Sequence, residues 1–338
     1  MGERRRISQD NNERFVEHLT IEFSELSLIT VVITSYNHSK FLKQRIESIL
    51  EQTFRDFEII ILDDASNDDS REVIEQYRSN PLVKTIVYNT VNGGRPILQW
   101  LKGIELANTE WVWIAESDDY CEPDFLESLL PAFGNADAVL ALNDISFVDE
   151  QNKIIKSFPA TASGIHDGTA FINEKMLEDC FVCNSGMAIF RKNAAPVAGD
   201  WVSQFSFSPD YYFWVSVMQQ GSVYTSGKSL AYFRKHDAEF THGKLESVAS
   251  QKDHAYLLGL LSKKKLLEKE KLTKLVTDKL VSLYTRQKGM QRSLFDALTQ
   301  VWFELGVSLG LPVNKTSLQA MAMLRKIKHR FRTLYAIG

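Results

Sequence analysis

Cysteine is scarce in this chain: its 338 residues include only Cys121, Cys180 and Cys183. Three thiols make no even framework, which argues against a secreted scaffold built on disulfides. Cys180 and Cys183 form a CxxC, yet no second pair or histidine partner stands near them in sequence. They read as two buried thiols rather than a metal or redox pair. Long apolar runs are missing as well. None approaches the ~18 residues of a membrane span, and residues 1–12 are polar, without the apolar core of a secretory signal. These absences predict a cytoplasmic location. The glycine-rich phosphate loops are also missing. Where GxGxxG should follow the first apolar strand the chain reads Thr34-Ser-Tyr-Asn-His-Ser39, and there is no P-loop. A bound diphosphate would need some other means of support.

The composition is that of an ordinary globular protein, 44% hydrophobic and 24% charged, long enough for one large domain and an appendage. The net charge of −4 conceals an asymmetry. Residues 250–338 hold 17 Lys/Arg against 6 Asp/Glu, a net +11, which leaves −15 on the remainder. A basic tail on an acidic body predicts an anionic partner such as a membrane surface, or a docking helix for another protein. Nucleic acid is not expected, because the body is acidic and no recognition module is present.

The stretch Trp111-Val-Trp-Ile-Ala-Glu-Ser-Asp-Asp-Tyr120 organises the chain. A continuous apolar run suits a buried parallel strand, and ligands of open α/β sheets bind beyond the carboxyl ends of such strands. Glu116, Asp118 and Asp119 at that end repel one another, which calls for a divalent cation carrying a phosphate. Mn²⁺ and Mg²⁺ suit such oxygen ligands. Upstream, strands are predicted over residues 28–33, 57–62 and 83–88. They alternate with helices that begin near Ser39 (as cap), before Val73 and at Pro96, and another helix is predicted after Pro123-Asp124. Four alternations argue for a doubly wound, mainly parallel sheet. Further strands are predicted over 138–142, 181–190, 222–225 and 229–233, with a turn at 164–168. A helix runs from about Pro209 to Gln219. Beyond Gly243 the period becomes helical over 257–267, 272–284, 294–309 and 317–334. The predicted organisation is therefore a lead-in (1–27), an α/β domain (28–243) and a basic helical region (244–338).

Val31-Val-Ile-Thr-Ser-Tyr-Asn-His-Ser-Lys-Phe-Leu42, Ser48-Ile-Leu-Glu-Gln-Thr-Phe-Arg-Asp-Phe-Glu58, Leu62-Asp-Asp-Ala-Ser-Asn-Asp-Asp69 and Glu116-Ser-Asp-Asp119 together resemble the family 2 glycosyltransferases of the GT-A fold. The resemblance covers residues 28–242. Gln99-Trp100 with Trp113-Ile-Ala-Glu-Ser-Asp-Asp119 is similar to a bacterial polysaccharide-assembly subgroup. It implies a Rossmann-like mixed sheet flanked by helices, with residues 244–338 as a C-terminal helical extension. It places Thr34 and Tyr36 against the nucleotide, with Tyr36 stacking on the base, and makes Asp64 the acceptor of a base N–H. Asn92 and Gly93 fall in the turn before the helix that closes over the donor. Asp119 becomes the leading metal ligand. Asp118 contacts ribose or sugar hydroxyls and stands beside the metal, and Glu116 stands where many members have Asp. In Pro209-Asp-Tyr-Tyr-Phe-Trp214, Asp210 matches the catalytic base, with Trp214 and Tyr211 offered to an acceptor pocket. Arg234 and His236 match a late pattern that approaches the diphosphate and the metal.

The implied reaction is an inverting, metal-dependent transfer of a sugar from a nucleotide-diphospho-sugar, with UDP as the expected carrier. The acceptor would be a glycan or lipid-linked hydroxyl at the inner face of a bacterial membrane. Two other readings stay open at this point: a sugar-nucleotide-binding protein without transfer activity, and a sugar-nucleotide pyrophosphorylase. The other histidines, His38 and His254 among them, show no partner in the sequence and read as structural or exposed.

Overall fold

All seven residues of Ile29–Ser35 (β1) are buried, as a β-branched run with helices on both sides requires. This computed structural model describes residues 27–236 and 247–335, with side chains described as far as residue 326 in the last helix. Most of the lead-in, the boundary near Gly243 and His242 lie outside the described residues. After β1 the chain runs through α1 (Ser39–Leu50), β2 (Phe57–Asp63), α2 (Ser70–Glu75), β3 (Val83–Tyr88), α3 (Pro96–Leu106) and β4 (Trp111–Glu116). Pro96 opens α3, where its missing N–H costs nothing. The short β5 (Tyr120–Cys121) precedes a 3₁₀ segment, Glu127–Ala132, that stands where an α-helix was expected. Pro131 lies inside it and denies the chain an interior N–H.

Further on come β6 (Ala138–Val148), β7 (Ile154–Ser157), β8 (Gly164–Asp167), α4 (Gly168–Lys175), β9 (Ala188–Arg191), α5 (Trp201–Gln204), α6 (Pro209–Met218) and β10 (Ser222–Arg234). Three expectations change here. Residues 164–168 are not a simple turn: they form β8 and the start of α4, with the Asp167 carboxylate capping Ala170 N–H. The predicted strand over 181–190 shrinks to β9. The two short strands after Ser222 are one long strand with shifts of register around Gly227, whose φ is +73°.

The sheet order is β3-β2-β1-β4-β9-β6-β10-β5, with β7 and β8 paired to β6 and β10 off this path. β1 to β4 are mutually parallel, whereas β9 runs antiparallel to both β4 and β6. Register brings the polar strand ends level: Thr34 lies opposite Leu62 on β2 and Glu116 on β4, and Ser35 lies opposite Asp63. Residues beyond 246 form α7 (Val248–Lys263), α8 (Lys269–Arg286), α9 (Arg292–Ser308) and α10 (Lys315–Tyr335), around a second apolar core. Helix α7 serves both cores. Leu257 and Leu261 enter the sheet's core, while Ala255 and Leu258 enter the helical one. Among the described residues no helix is long and apolar enough to cross a membrane.

Candidate active site

The loops after β1 and β2 are laced together. Asn37, at φ +54°, donates its N–H to Ser66 Oγ (2.9 Å) and accepts Asn67 N–H at Oδ1 (2.9 Å). Asp68 receives Ser39 N–H on one oxygen (2.9 Å) and Ser70 N–H on the other (3.0 Å), so one carboxylate serves the starts of α1 and α2. Ser39 is therefore the first helical residue of α1 and not its cap. Burial opposes the charge of Asp68, yet the hydrogen bonds from Ser70 and Ser39 hold its carboxyl below the ordinary value.

Asp64 follows directly on β2 and is buried. Its Oδ1 accepts Asn89 Nδ2 (2.7 Å) and Gln99 Nε2 (2.8 Å), and Gly93 N–H reaches both oxygens at 3.1 Å. Asn92 Nδ2 donates to the Asp64 carbonyl at 3.0 Å. The turn 92–94 is thus fixed onto Asp64, and Asn89 and Gln99 hold that carboxylate, a role the sequence did not suggest for either. Thr34 is buried at the end of β1, and Tyr36 beyond it is 44% exposed, with its ring available to a planar partner.

At the end of β4, ligand atoms of Glu116, Asp118 and Asp119 all lie within 4.8 Å of one another. Burial and then the charges of Asp118, Asp119 and Asp210 push Glu116 well above the carboxylate range. Asp119 rises to about 7, through burial first and the charge of Asp118 second. A pocket of acids that resists full ionisation is short of positive charge, and its hard oxygen donors fit a divalent cation. Asp118 behaves differently. Burial opposes its charge, but the His236 hydrogen bond and the charge of His38 hold it below the usual value.

The family resemblance made Asp119 the leading metal ligand. In the structure its Oδ1 accepts Arg234 N–H (2.9 Å) and its Oδ2 accepts from Asn184 Nδ2 (2.7 Å), and each oxygen keeps a lone pair that a cation can use. Asp118 shares the three-acid group with Asp119 and also belongs to a second set with His38 and His236. His236 Nε2 lies 3.0 Å from Asp118 Oδ2, and His38 Nδ1 lies 3.9 Å from Asp118 Oδ1 and 2.9 Å from Ser117 Oγ. His38 therefore has partners that its position in the sequence concealed.

Arg234 is a correction. Its guanidinium, expected at the donor diphosphate, is 1% exposed and committed to the protein. Nε donates to the Asp118 carbonyl (2.8 Å), Nη1 to the Asp149 carbonyl and Asn152 Oδ1 (3.1 and 2.6 Å), and Nη2 to Gln44 Oε1 (2.8 Å). It binds the end of β10 to the acidic turn. Another buried cation was missed. Arg45 lies on the inward face of α1 with its guanidinium 4.9 Å from the Trp113 ring, and its charge reaches Asp119. An arginine among Phe41, Leu42, Ile46 and Ile49 was the available signal.

Asp210 sits at the second position of α6, after Pro209. Burial raises its carboxyl to about 6, the N–H groups of Tyr211 and Asp210 oppose that rise, and the charge of Asp253 adds to it. The charge of Asp210 is felt at Glu116, which puts the start of α6 within electrostatic reach of the acidic strand end. Its neighbours do not line a pocket. Trp214 is fully buried against Trp100, Phe190 and Phe213, and Tyr211 is 5% exposed with its hydroxyl donated to the Met176 carbonyl. The expectation of an acceptor wall at Trp214 and Tyr211 fails because α6 is packed on nearly every side.

Residues 30–196 match the family model described as "Glycosyl transferase family 2". An uncharacterized glycosyltransferase of Nostoc sp. is 27% identical over 301 residues, covering 84% of this chain and 89% of that protein. The putative teichuronic acid biosynthesis glycosyltransferase TuaG of Bacillus subtilis is 23% identical over 208 residues, or 61% of this chain and 79% of TuaG. Several other relatives are matched over less than half of their own length. Among solved structures, residues 1–349 of S. aureus TarS in complex with UDP-GlcNAc align with a TM-score of 0.61 at 17% identity, covering 82% of this chain and 80% of that one. That likeness is one of fold: the mixed, mainly parallel sheet flanked by helices is the GT-A fold.

Proposed function

Residues 30–196 belong to glycosyl transferase family 2, and from that premise we propose that this glycosyltransferase moves one sugar from a UDP-sugar to a hydroxyl of a bacterial surface glycan or its lipid-linked precursor, with inversion at the anomeric carbon. The observation that carries the proposal is a buried carboxylate, Asp210, at the start of α6, whose charge is felt at Glu116 on the acidic end of β4. A sugar hydroxyl is a poor nucleophile, and a carboxylate placed to take its proton as it attacks supplies what the step needs. One base on one face suits a single displacement, which inverts the centre.

The donor side follows from the loops. Tyr36 stacks on the base, and Asp64, already oriented by Gly93, Asn89 and Gln99, accepts the N3–H of uracil. The complex of TarS with UDP-GlcNAc supports a uridine donor, and the name of TuaG supports a surface-polysaccharide product. Asp118, with His236 and His38 beside it and Asp119 behind, would hold Mn²⁺ or Mg²⁺. When bound, such an ion neutralises the charge that gathers on the departing diphosphate. For attachment we assign α10. Met321, Met323 and Leu324 are exposed beside Arg325 and Lys326, and the sequence continues with Lys328, Arg330 and Arg332. Such a mixture suits an anionic membrane surface at the cytoplasmic face.

The test is a panel of UDP-, GDP- and dTDP-sugars with Mn²⁺, read as nucleotide release. Release from a UDP-sugar that disappears in Asp118→Asn supports the proposal. Binding of UDP without turnover of any donor in the panel would overturn it.

A further inference from the structure

Among the described residues, helix α7 reaches the segment that leads into α6. Asp253, in α7, is 4% exposed, and its carboxylate receives three consecutive residues of the segment that leads into α6. Oδ2 accepts Phe207 N–H (2.6 Å) and Ser208 N–H (2.9 Å), and Oδ1 accepts Ser206 Oγ–H (3.3 Å). Ser208 is the cap position of α6, yet its own side chain makes no capping bond. The start of the helix that bears Asp210 is therefore held by a carboxylate from another element. The same segment is gripped from the donor side. Arg95, just after the turn fixed to Asp64, donates its guanidinium to the carbonyls of Val202 and Phe205. Neighbours on α7 extend the grip: Tyr256 Oη donates to Gln204 Oε1 (2.9 Å), and the His254 ring lies 5.3 Å from that of Tyr211.

From this geometry we propose that Asp253 is a positioning residue for sugar transfer, setting where Asp210 points through the turn 206–208 and coupling the C-terminal helices to the chemistry. The inference rests on the role proposed for Asp210. Nothing in Asp253 contacts the donor loops, so its loss acts on the base and not on nucleotide binding. The charge of Asp210 raises Glu116 on β4, Cys180 and Cys183 before β9 and Tyr211 on its own helix, whereas the charge that raises Asp210 is that of Asp253. Asp253 is thus one of the charges that make Asp210 a stronger base.

Asp253→Ala removes both acceptor oxygens and with them all three hydrogen bonds. Asp253→Asn, nearly the same shape, keeps an oxygen for Phe207 and Ser208 but loses the charge. With Mn²⁺ and the donor found above, kcat is expected to fall on the order of tenfold to a hundredfold in Asp253→Ala, as an ångström-scale misplacement of a reacting group does, and by less in Asp253→Asn. The UDP Kd from calorimetry stays within about twofold in both. In Asp253→Asn the acid limb of the kcat profile moves to lower pH, because a nearby negative charge no longer holds the proton on Asp210. A kcat unchanged in Asp253→Ala, an unmoved acid limb in Asp253→Asn, or a parallel loss of UDP affinity would each overturn the proposal. Transfer that survives Asp210→Asn would instead remove the base assignment, whatever Asp253 does.

Discussion

Replacing His254 with glutamine should abolish a pH dependence of stability that the natural chain carries between about pH 6.5 and 4. The ring is 6% exposed on α7, its Nε2–H donates to the Leu177 carbonyl at 2.8 Å, and it meets Trp302 edge-on with centroids 5.4 Å apart. Burial first, and the charge of Lys279 second, lower its pKa from 6.5 to about 4. The folded protein therefore refuses a proton that the unfolded chain accepts, so stability is complete above pH 6.5 and is lost as pH falls. At 1.36 kcal/mol per unit the loss is about 2 kcal/mol by pH 5 and about 3 kcal/mol by pH 4. Glutamine can still donate to Leu177 and does not titrate. Urea unfolding of both proteins at pH 7.5 and pH 5.0 isolates the effect: the stability difference between them should shift by about 2 kcal/mol in favour of the variant at the lower pH. Parallel pH dependences would show that the ring is reached by water and would refute the reasoning.

Three further outcomes can be checked directly. Gly103→Ala would place a Cβ 2.2 Å from Val32 Cγ1, between α3 and the sheet, and should cost about 1–3 kcal/mol in a thermal or urea scan; an unchanged Tm contradicts that packing. Arg234→Lys replaces a guanidinium that satisfies four acceptors, and an ammonium cannot reach them all. It should cost at least ~2 kcal/mol in urea unfolding even though charge is kept, whereas a surface role at the diphosphate predicts almost none. Asp64→Ala should weaken UDP binding by about tenfold or more in calorimetry and blunt discrimination between uridine and guanosine diphosphates. Equal affinity in the variant would take the base-recognition role from Asp64.

The amino-terminal half was legible because local signals there agree with the global structure. Strands 29–35, 57–63 and 111–116 are apolar runs closed by polar clusters, and a doubly wound sheet lines up those ends without further information. Beyond Ala138 the pairings are non-local. β9 is four residues long and lies between β4 and β6, and periodicity carries no trace of that. The site was read by residue type and order, which place a carboxylate but not its hydrogen bonds. Arg234 carries the right chemistry, yet its guanidinium is already spent on main chain, on Asn152 and on Gln44. Trp214 and Tyr211 follow Asp210 in sequence, but a helix start turns neighbours to different faces, and these two face the core. Asp253 lies 43 residues beyond Asp210, on a helix whose only sequence signals were charge and a helical period.

The central claim is that Asp210 takes the acceptor's proton while other residues hold the donor. It is tested most directly by measuring transfer rate and UDP affinity together in Asp210→Asn, with Mn²⁺ and the donor selected from the panel. The account predicts a rate lower by about 10²- to 10⁴-fold, the share of a general base, with UDP affinity nearly intact. A variant that still transfers at the natural rate, or one that loses UDP binding along with activity, would contradict it.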